Sequence, residues 1–186
     1  MADKEGDPMA TVTAPLPGPI RQIGYVVRDL DEALSGWIAA GVGPWFVVRE
    51  YTQQVIHRGQ RCEVTISIAL ANSGDLQVEL IHQHGDTPSI FTEFLDSGRE
   101  GFHQFAWWAE DFESAVAAAS DAGWPVVWCG DEDSATRFAY VEPPPGGPAT
   151  IFEIMELTDV TGGMAEFVRN AARDWDGTDP VRTVGV

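Results

Sequence analysis

Four residues carry the chemistry this sequence offers. Gln22, Glu79, Gln104 and Glu153 are two amides and two carboxylates, set in the apolar runs "QIGYVV", "QVELI", "QFAWWA" and "IFEIM". Any one of them alone would ordinarily sit on a solvated face. Their spacing argues otherwise, because Gln104 follows Gln22 by 82 residues and the flanking sequence repeats at that offset. In "IRQIGYVVRDLDEALSGWIAAGV" (20–42) and "FHQFAWWAEDFESAVAAASDAGW" (102–124), Asp29 falls on Asp111, Ala33 on Ala115 and Gly41 on Gly123 without a gap. Two copies of one unit, related by a pseudo-twofold axis, would bring all four polar residues together. In apolar surroundings such a cluster costs on the order of several kcal/mol unless something pairs with the charge, and a divalent cation is the simplest partner.

The elements that must position them follow from the same repeat. Each copy reads as a short strand, an Asp N-cap, about ten helical residues and a Gly stop. Glu32 stands three residues after Asp29, the spacing of a capping box. Further strands are expected at "WFVVREYTQQ" (45–54), "RCEVTISIAL" (61–70) and "DLQVELIHQ" (75–83) in the first half. Their counterparts are "PVVWCG" (125–130), "RFAYVE" (137–142) and, after the "PPPGGP" turn, "PATIFEIME" (148–156). The chain therefore reads βαβββ twice: an α+β fold of two tandem modules forming a curved mixed sheet around a central cavity. The expected divisions are a disordered tail at 1–18, modules at 19–85 and 101–157, and a linker at 86–100 carrying a short helix. Residues 158–186 follow as a C-terminal helix (about 161–173) and a polar tail.

Strand alternation sorts the side chains. Gln22, Gly24 and Val26 share a face, as do Gln104, Ala106 and Trp108; Gln77, Glu79 and Ile81; and Ile151, Glu153 and Met155. The helices should cover the opposite, wholly apolar faces, so the polar faces meet across the concave sheet. Small Gly24 and Ala106 leave room beside the glutamines. Val26, Met155 and Trp108 are candidates to line a substrate pocket. Trp45, in "GVGPWF", is open between pocket and core, and Trp37 and Trp107 read as core. On a regular strand His103 points away from Gln104, and a β-bulge could rotate it inward. His82 and His84 fall at odd spacing from Glu79 and should face away from it. His57 lies in a polar hairpin or loop that could form a lip.

The repeated module, with "QIGYVVRDLDEAL", "VELI" and the closing "FEIMEL", resembles the vicinal oxygen chelate superfamily, which includes glyoxalase I, methylmalonyl-CoA epimerase, extradiol dioxygenases and bleomycin-resistance proteins. The resemblance covers residues 19–157. It implies one divalent metal in the curved sheet, held at the motif positions Gln22, Glu79, Gln104 and Glu153. The family usually has His at the first-strand position of at least one module, where this chain has Gln twice. An all-oxygen set favours magnesium or manganese, with cobalt, nickel or zinc also possible. The site could instead hold no metal, with one glutamate protonated.

The resemblance further implies an enzyme, an isomerase, epimerase or lyase. Metal-assisted proton transfer next to a carbonyl would act on a small apolar or aromatic substrate, with Glu153 or Glu79 as base. The rival reading is a metal-free resistance-type protein that sequesters an aromatic ligand. Extradiol oxidation needs two His and a carboxylate on iron, which Gln22 and Gln104 do not supply. Relatives often dimerise, so a homodimer is expected.

Composition narrows the partners. A formal charge of −18, from 29 acidic against 11 basic residues, repels nucleic acid and anionic membranes, leaving a small molecule as the partner. No apolar run is long enough for a membrane span, and the acidic, Pro-rich N-terminus does not read as a secretory signal, so a cytoplasmic location is expected. Cys62 and Cys129 lack CxxC spacing and read as thiols. Dinucleotide, P-loop, GxSxG and HExxH signatures do not occur.

Overall fold

Asp29 and Asp111 cap their helices as the repeat requires. In the computed structural model, which describes residues 16–131, 134 and 136–185, the Asp29 carboxylate accepts from the amides of Asp31 and Glu32, and Asp111 accepts from that of Ser114. Helix α1 (Leu30–Ala39) and helix α3 (Phe112–Asp121) follow. Both end alike, with Gly41 and Gly123 at φ of 84° and 81°. Val42 N–H then bonds back to Trp37 and Trp124 N–H to Ala119, which satisfies the last carbonyls.

The first module comprises β1 (Gln22–Val26), α1, β2 (Trp45–His57), β3 (Gln60–Ser73) and β4 (Leu76–His84). Helix α2 (Ile90–Asp96) links it to β5 (Gly101–Ala109), α3, β6 (Val126–Gly130), β7 (Phe138–Val141) and β8 (Ile151–Glu156). Within each module the first strand lies parallel to the last, β1 on β4 and β5 on β8. The modules join through two antiparallel pairs, β1 with β5 and β2 with β6. Sheet order is β3-β4-β1-β5-β8-β7-β6-β2, and β2 also pairs with β3, so eight strands close on themselves around an interior. Closure leaves no unpaired edge among these eight. The expected strands are all present, with β2 and β3 extending further to meet at the Arg58–Gly59 turn.

Side chains partition as the alternation predicts. Between α1 and the first sheet lie Leu30, Leu34, Val78 and Leu80; between α3 and the second lie Ala115, Ala119, Phe152 and Ile154. The third cluster, inside the barrel, contains Val26, Val64, Ile81, Trp128, Tyr140 and Ile151, capped by Phe91 and Phe94 of α2.

Two terminal features differ from the sequence reading. Helix α4 (Asp159–Arg173) begins two residues earlier, capped by Thr158, and the polar tail adds a short strand, β9 (Val181–Thr183), parallel to β2. Of the expected N-terminal tail, residues 1–15 lie outside the described residues, whereas Leu16 packs into the α3 cluster. Cys62 and Cys129 are both free and half-buried. Among the described residues no helix is long and apolar enough to cross a membrane.

Candidate active site

The β1–β5 junction sets the geometry. Gly24 stands opposite Gln104 on one side and Glu79 on the other; Gln22 stands opposite Ala106, whose far neighbour is Glu153. The two rows are related by the pseudo-twofold axis. Each places a small residue between a glutamine of one strand and a glutamate of the next. Gln104 crosses Gly24, where a methyl group would overlap its amide, and Nε2 reaches Glu79 Oε2 at 3.3 Å. The equivalent crossing from Gln22 passes over Ala106, where a methyl group stands. Gln22 donates instead to Gln77 Oε1 at 2.8 Å, and Glu153 Oε2 is buried without a hydrogen-bond partner.

Glu79 and Glu153 are both buried and line one cavity of about 150 Å³ inside the barrel. Its walls include Ile66, Ile81, Phe91, Trp128, Phe138 and Met155. Loss of water pushes the Glu79 carboxyl well above its usual range, and the nearby Glu153 charge pushes it further. Burial likewise raises Glu153, to about 7, against the opposing hydrogen bonds from Tyr140 and Gln104. Tyr140, itself raised by burial and by the two glutamates, keeps its proton and holds Glu153.

His103 is the main departure from the expected side-chain directions. The β1–β5 register shifts between Gly24 and Tyr25, so that Gln104 faces Gly24 and Phe102 faces Tyr25, with His103 as the extra residue. This bulge turns both His103 and Gln104 inward, at 2% and 0% exposure. The regular-strand expectation for His103 is thus corrected. Its Nδ1 meets Gln104 Oε1, and its ring lies against Phe91 and Phe94 at 5.8 and 4.9 Å between centroids. Desolvation lowers its pKa to about 4.

The structure brings together Glu79, Gln104 and Glu153, with Gln22 in the adjacent row but committed to Gln77. Met155 lines the cavity. Val26 is in the barrel interior, packed with Ile90 and Phe91 away from the cavity wall. Trp45 is core: β2 directs it with Val47 toward α1, where it packs on Trp37 and its indole N–H bonds Val42 O at 2.9 Å. Trp108 shares the inward face but lies beyond the cavity. It borders a surface groove of about 610 Å³ beside residues 16–19 and α3, with the Arg21 guanidinium 5.3 Å from its ring. That groove is larger but contains none of the four polar residues. His82 bonds Val27 O and His84 bonds Ser67, on the far face from Glu79; His57 packs on Trp128 behind the cavity wall. The sequence reading missed Tyr140 and Gln53, which line the cavity, and Gln77, which holds Gln22. Tyr140 was legible as the residue opposite Glu153 once β7 and β8 are paired.

Among the described residues no three of His, Cys, Asp and Glu gather as a metal site. The converging set is two carboxylates and an amide, and its unpartnered, buried carboxylate oxygen fits an oxygen-ligated divalent cation.

Residues 21–140 match the glyoxalase/bleomycin resistance protein/dioxygenase superfamily, and the chain belongs to it. Its fold is similar to that of methylmalonyl-CoA epimerase from Mycobacterium tuberculosis, at 18% identity and a TM-score of 0.53, over 83% of this chain and 97% of that one. A hypothetical protein from Bacillus halodurans is similar at 15% identity and a TM-score of 0.54, over 76% and 95% of the two chains. A variant of Streptomyces coelicolor methylmalonyl-CoA epimerase in complex with 2-nitronate-propionyl-CoA is similar at 19% identity and a TM-score of 0.52, over 76% and 95%. At these identities the likeness is one of fold. No curated protein sequence gives a match.

Proposed function

We propose that this protein is an enzyme that moves a proton on the carbon next to a carbonyl, as an isomerase, epimerase or lyase, in a small apolar or aromatic substrate. The observation that carries this reading is the pair of buried glutamates facing one apolar cavity, one of them with an unpartnered oxygen. Glu153 is the base. Its pKa near 7 lets it be ionised at neutral pH yet hold a proton well, the compromise general-base catalysis favours. Tyr140 orients it through its hydroxyl. Delivery of a proton from the Glu79 carboxyl to the opposite face of the same carbon, while Glu153 keeps the one it removed, gives epimerisation, and return of the proton by Glu153 to a neighbouring carbon gives isomerisation. The apolar walls formed by Ile66, Phe91 and Trp128 exclude water and keep the carboxyl pKa raised.

Glu79 and Glu153 would hold a divalent cation, with Gln104 joining by turning its amide oxygen from His103 to the carboxylates and Gln22 by releasing Gln77; magnesium or manganese suits these oxygen donors best. When bound, such an ion supplies Lewis acidity at the substrate carbonyl. Among the described residues no Arg or Lys lines the cavity, which favours an uncharged reacting portion. A cytoplasmic location and a homodimeric state complete the reading.

The test is solvent deuterium exchange. Incubated in D₂O with a panel of small enolisable ketones, aldehydes and thioesters, the protein should exchange the proton next to the carbonyl of at least one class. Glu153→Gln should lower that rate by about 100-fold or more. The rival reading, a binder that sequesters an aromatic compound, is favoured by the aromatic walls at Phe91, Trp128 and Phe138. Tight binding with no exchange in any class would establish it instead.

A further inference from the structure

We propose that a second cavity, between α4 and the ends of β1, β3 and β5, binds a small monocarboxylate with a hydroxyl or amino group on the adjacent carbon. The inference goes beyond the reaction proposed above and does not rest on it. Among the described residues four buried side-chain nitrogen or oxygen atoms have no hydrogen-bond partner, and Glu153 Oε2 is one. The other three are Asn72 Oδ1, Trp108 Nε1 and Arg169 Nε, and their residues all line this one cavity of about 170 Å³. Folded proteins satisfy nearly all such atoms, so three around one space point to a ligand that satisfies them together. The cavity shares no lining residue with the one that holds Glu79 and Glu153. Asn72 stands opposite Gln77 in the β3–β4 pair, and Gln77 in turn holds Gln22.

Each element contributes for a local reason. Asn72 is 6% exposed, and its Nδ2 donates to Gly74 O at 3.2 Å, which leaves Oδ1 as the free acceptor. Trp108 follows Ala106 by two residues on the same face of β5, with the Arg21 guanidinium 5.3 Å from its ring. On α4, Gly162, Ala165 and Arg169 fall at helical spacing on one side, and the two small residues leave room. Buried Val168 and the Phe167 ring, 4.8 Å from that of Phe46, seat this helix on the barrel. Arg169 Nη1 and Nη2 lie 3.6 and 3.9 Å from Asp75 and Glu166, loose pairs with mostly exposed carboxylates. Two N–H donors backed by guanidinium charge suit a carboxylate. The Asn72 oxygen requires a donor beside it, which a hydroxyl or amino group on the next carbon supplies. Asp75 and Glu166 disfavour a second negative charge, so phosphate and dicarboxylates fit worse.

The Trp108 indole N–H signal of the whole chain, assigned by its loss in Trp108→Phe, reports occupancy in a nitrogen–proton NMR titration. The probes are lactate, alanine and propionate, at neutral pH and matched ionic strength. Lactate, alanine or both should shift the signal saturably, at least about 10-fold more tightly than propionate, which lacks the second group. Lactate alone identifies a hydroxyl as the donor, and alanine alone an ammonium. No saturable shift from any probe by about 50 mM, or propionate binding as tightly as the other two, overturns the proposal. Arg169→Met should weaken binding by about 10-fold or more, and Asn72→Leu should erase the preference over propionate. Should Asn72→Leu fail to fold, Arg169→Met, at a partly exposed position on α4, decides the matter, and unchanged binding there refutes the site. Glu153→Gln should bind the probes as the parent does. Binding lost in that variant would place the ligand in the catalytic cavity and overturn the second site, whereas failure of the deuterium-exchange test leaves this result untouched.

Discussion

Replacing Glu153 with Gln should change how stability depends on pH, in a direction and by an amount the structure supplies. Burial raises the Glu153 carboxyl from an ordinary value of 4.5 to about 7 in the folded chain. The folded state therefore holds this proton more tightly than the unfolded one does. The resulting stability is fully present below pH 4.5 and is lost as pH rises through about 7. Over the whole window the difference corresponds to about 3 kcal/mol, of which about 1 kcal/mol falls between pH 6 and pH 8. His103, lowered to about 4, acts in the opposite sense as pH falls below its ordinary 6.5, but it is common to both proteins and cancels in the comparison. Glu79 adds to the effect, because the Glu153 charge is part of what raises it. Urea unfolding followed by tryptophan fluorescence, with chelator present, measures both proteins at pH 6, 7 and 8. The parent should lose at least about 1 kcal/mol relative to Glu153→Gln across that range. Parallel pH profiles, or a parent that gains on the variant with rising pH, would refute the buried, charge-coupled pair.

Three further perturbations probe the parts that hold the site. Gly24→Ala places a methyl group where the Gln104 amide crosses; it should cost about 1–3 kcal/mol in unfolding experiments and break the Gln104–Glu79 bond in a crystal structure. Phe91→Ala removes the ring at which α2 meets Trp128, Tyr140 and His103, and a loss of about 3–5 kcal/mol by denaturant titration is expected. Arg58 joins the β2–β3 turn to Glu93 of α2 and to Glu142 of the second module, but it is partly exposed, so Arg58→Ala should cost at most about 1 kcal/mol and less in high salt.

The sequence was most informative where both modules repeat it. Asp29 with Asp111 and Gly41 with Gly123 mark both helices, and alternation around Gln22 and Gln104 separates a helix-facing side from an inward side, as found. It was silent where the copies diverge. Ala106 in place of a second glycine turns Gln22 to Gln77, a consequence visible only when the strands are paired. The bulge at His103 depends on cross-strand register, which no single strand's periodicity encodes. Trp45 and Trp108 each fit the pattern for a pocket residue. Their fates were set by where β2 meets α1 and where β5 outruns the cavity, both matters of tertiary placement. Strand β9 carries too short and polar a run to announce itself.

The central claim, that Glu79 and Glu153 form a site completed by a divalent cation, is tested most directly by elemental analysis of protein purified without chelator, followed by calorimetric titration of the stripped protein with magnesium, manganese, cobalt, nickel and zinc. The account predicts binding of about one ion per chain through these oxygen donors, abolished in both Glu79→Ala and Glu153→Ala. No binding of any of these ions at millimolar concentration, with both glutamate variants as stable as the parent, would contradict it.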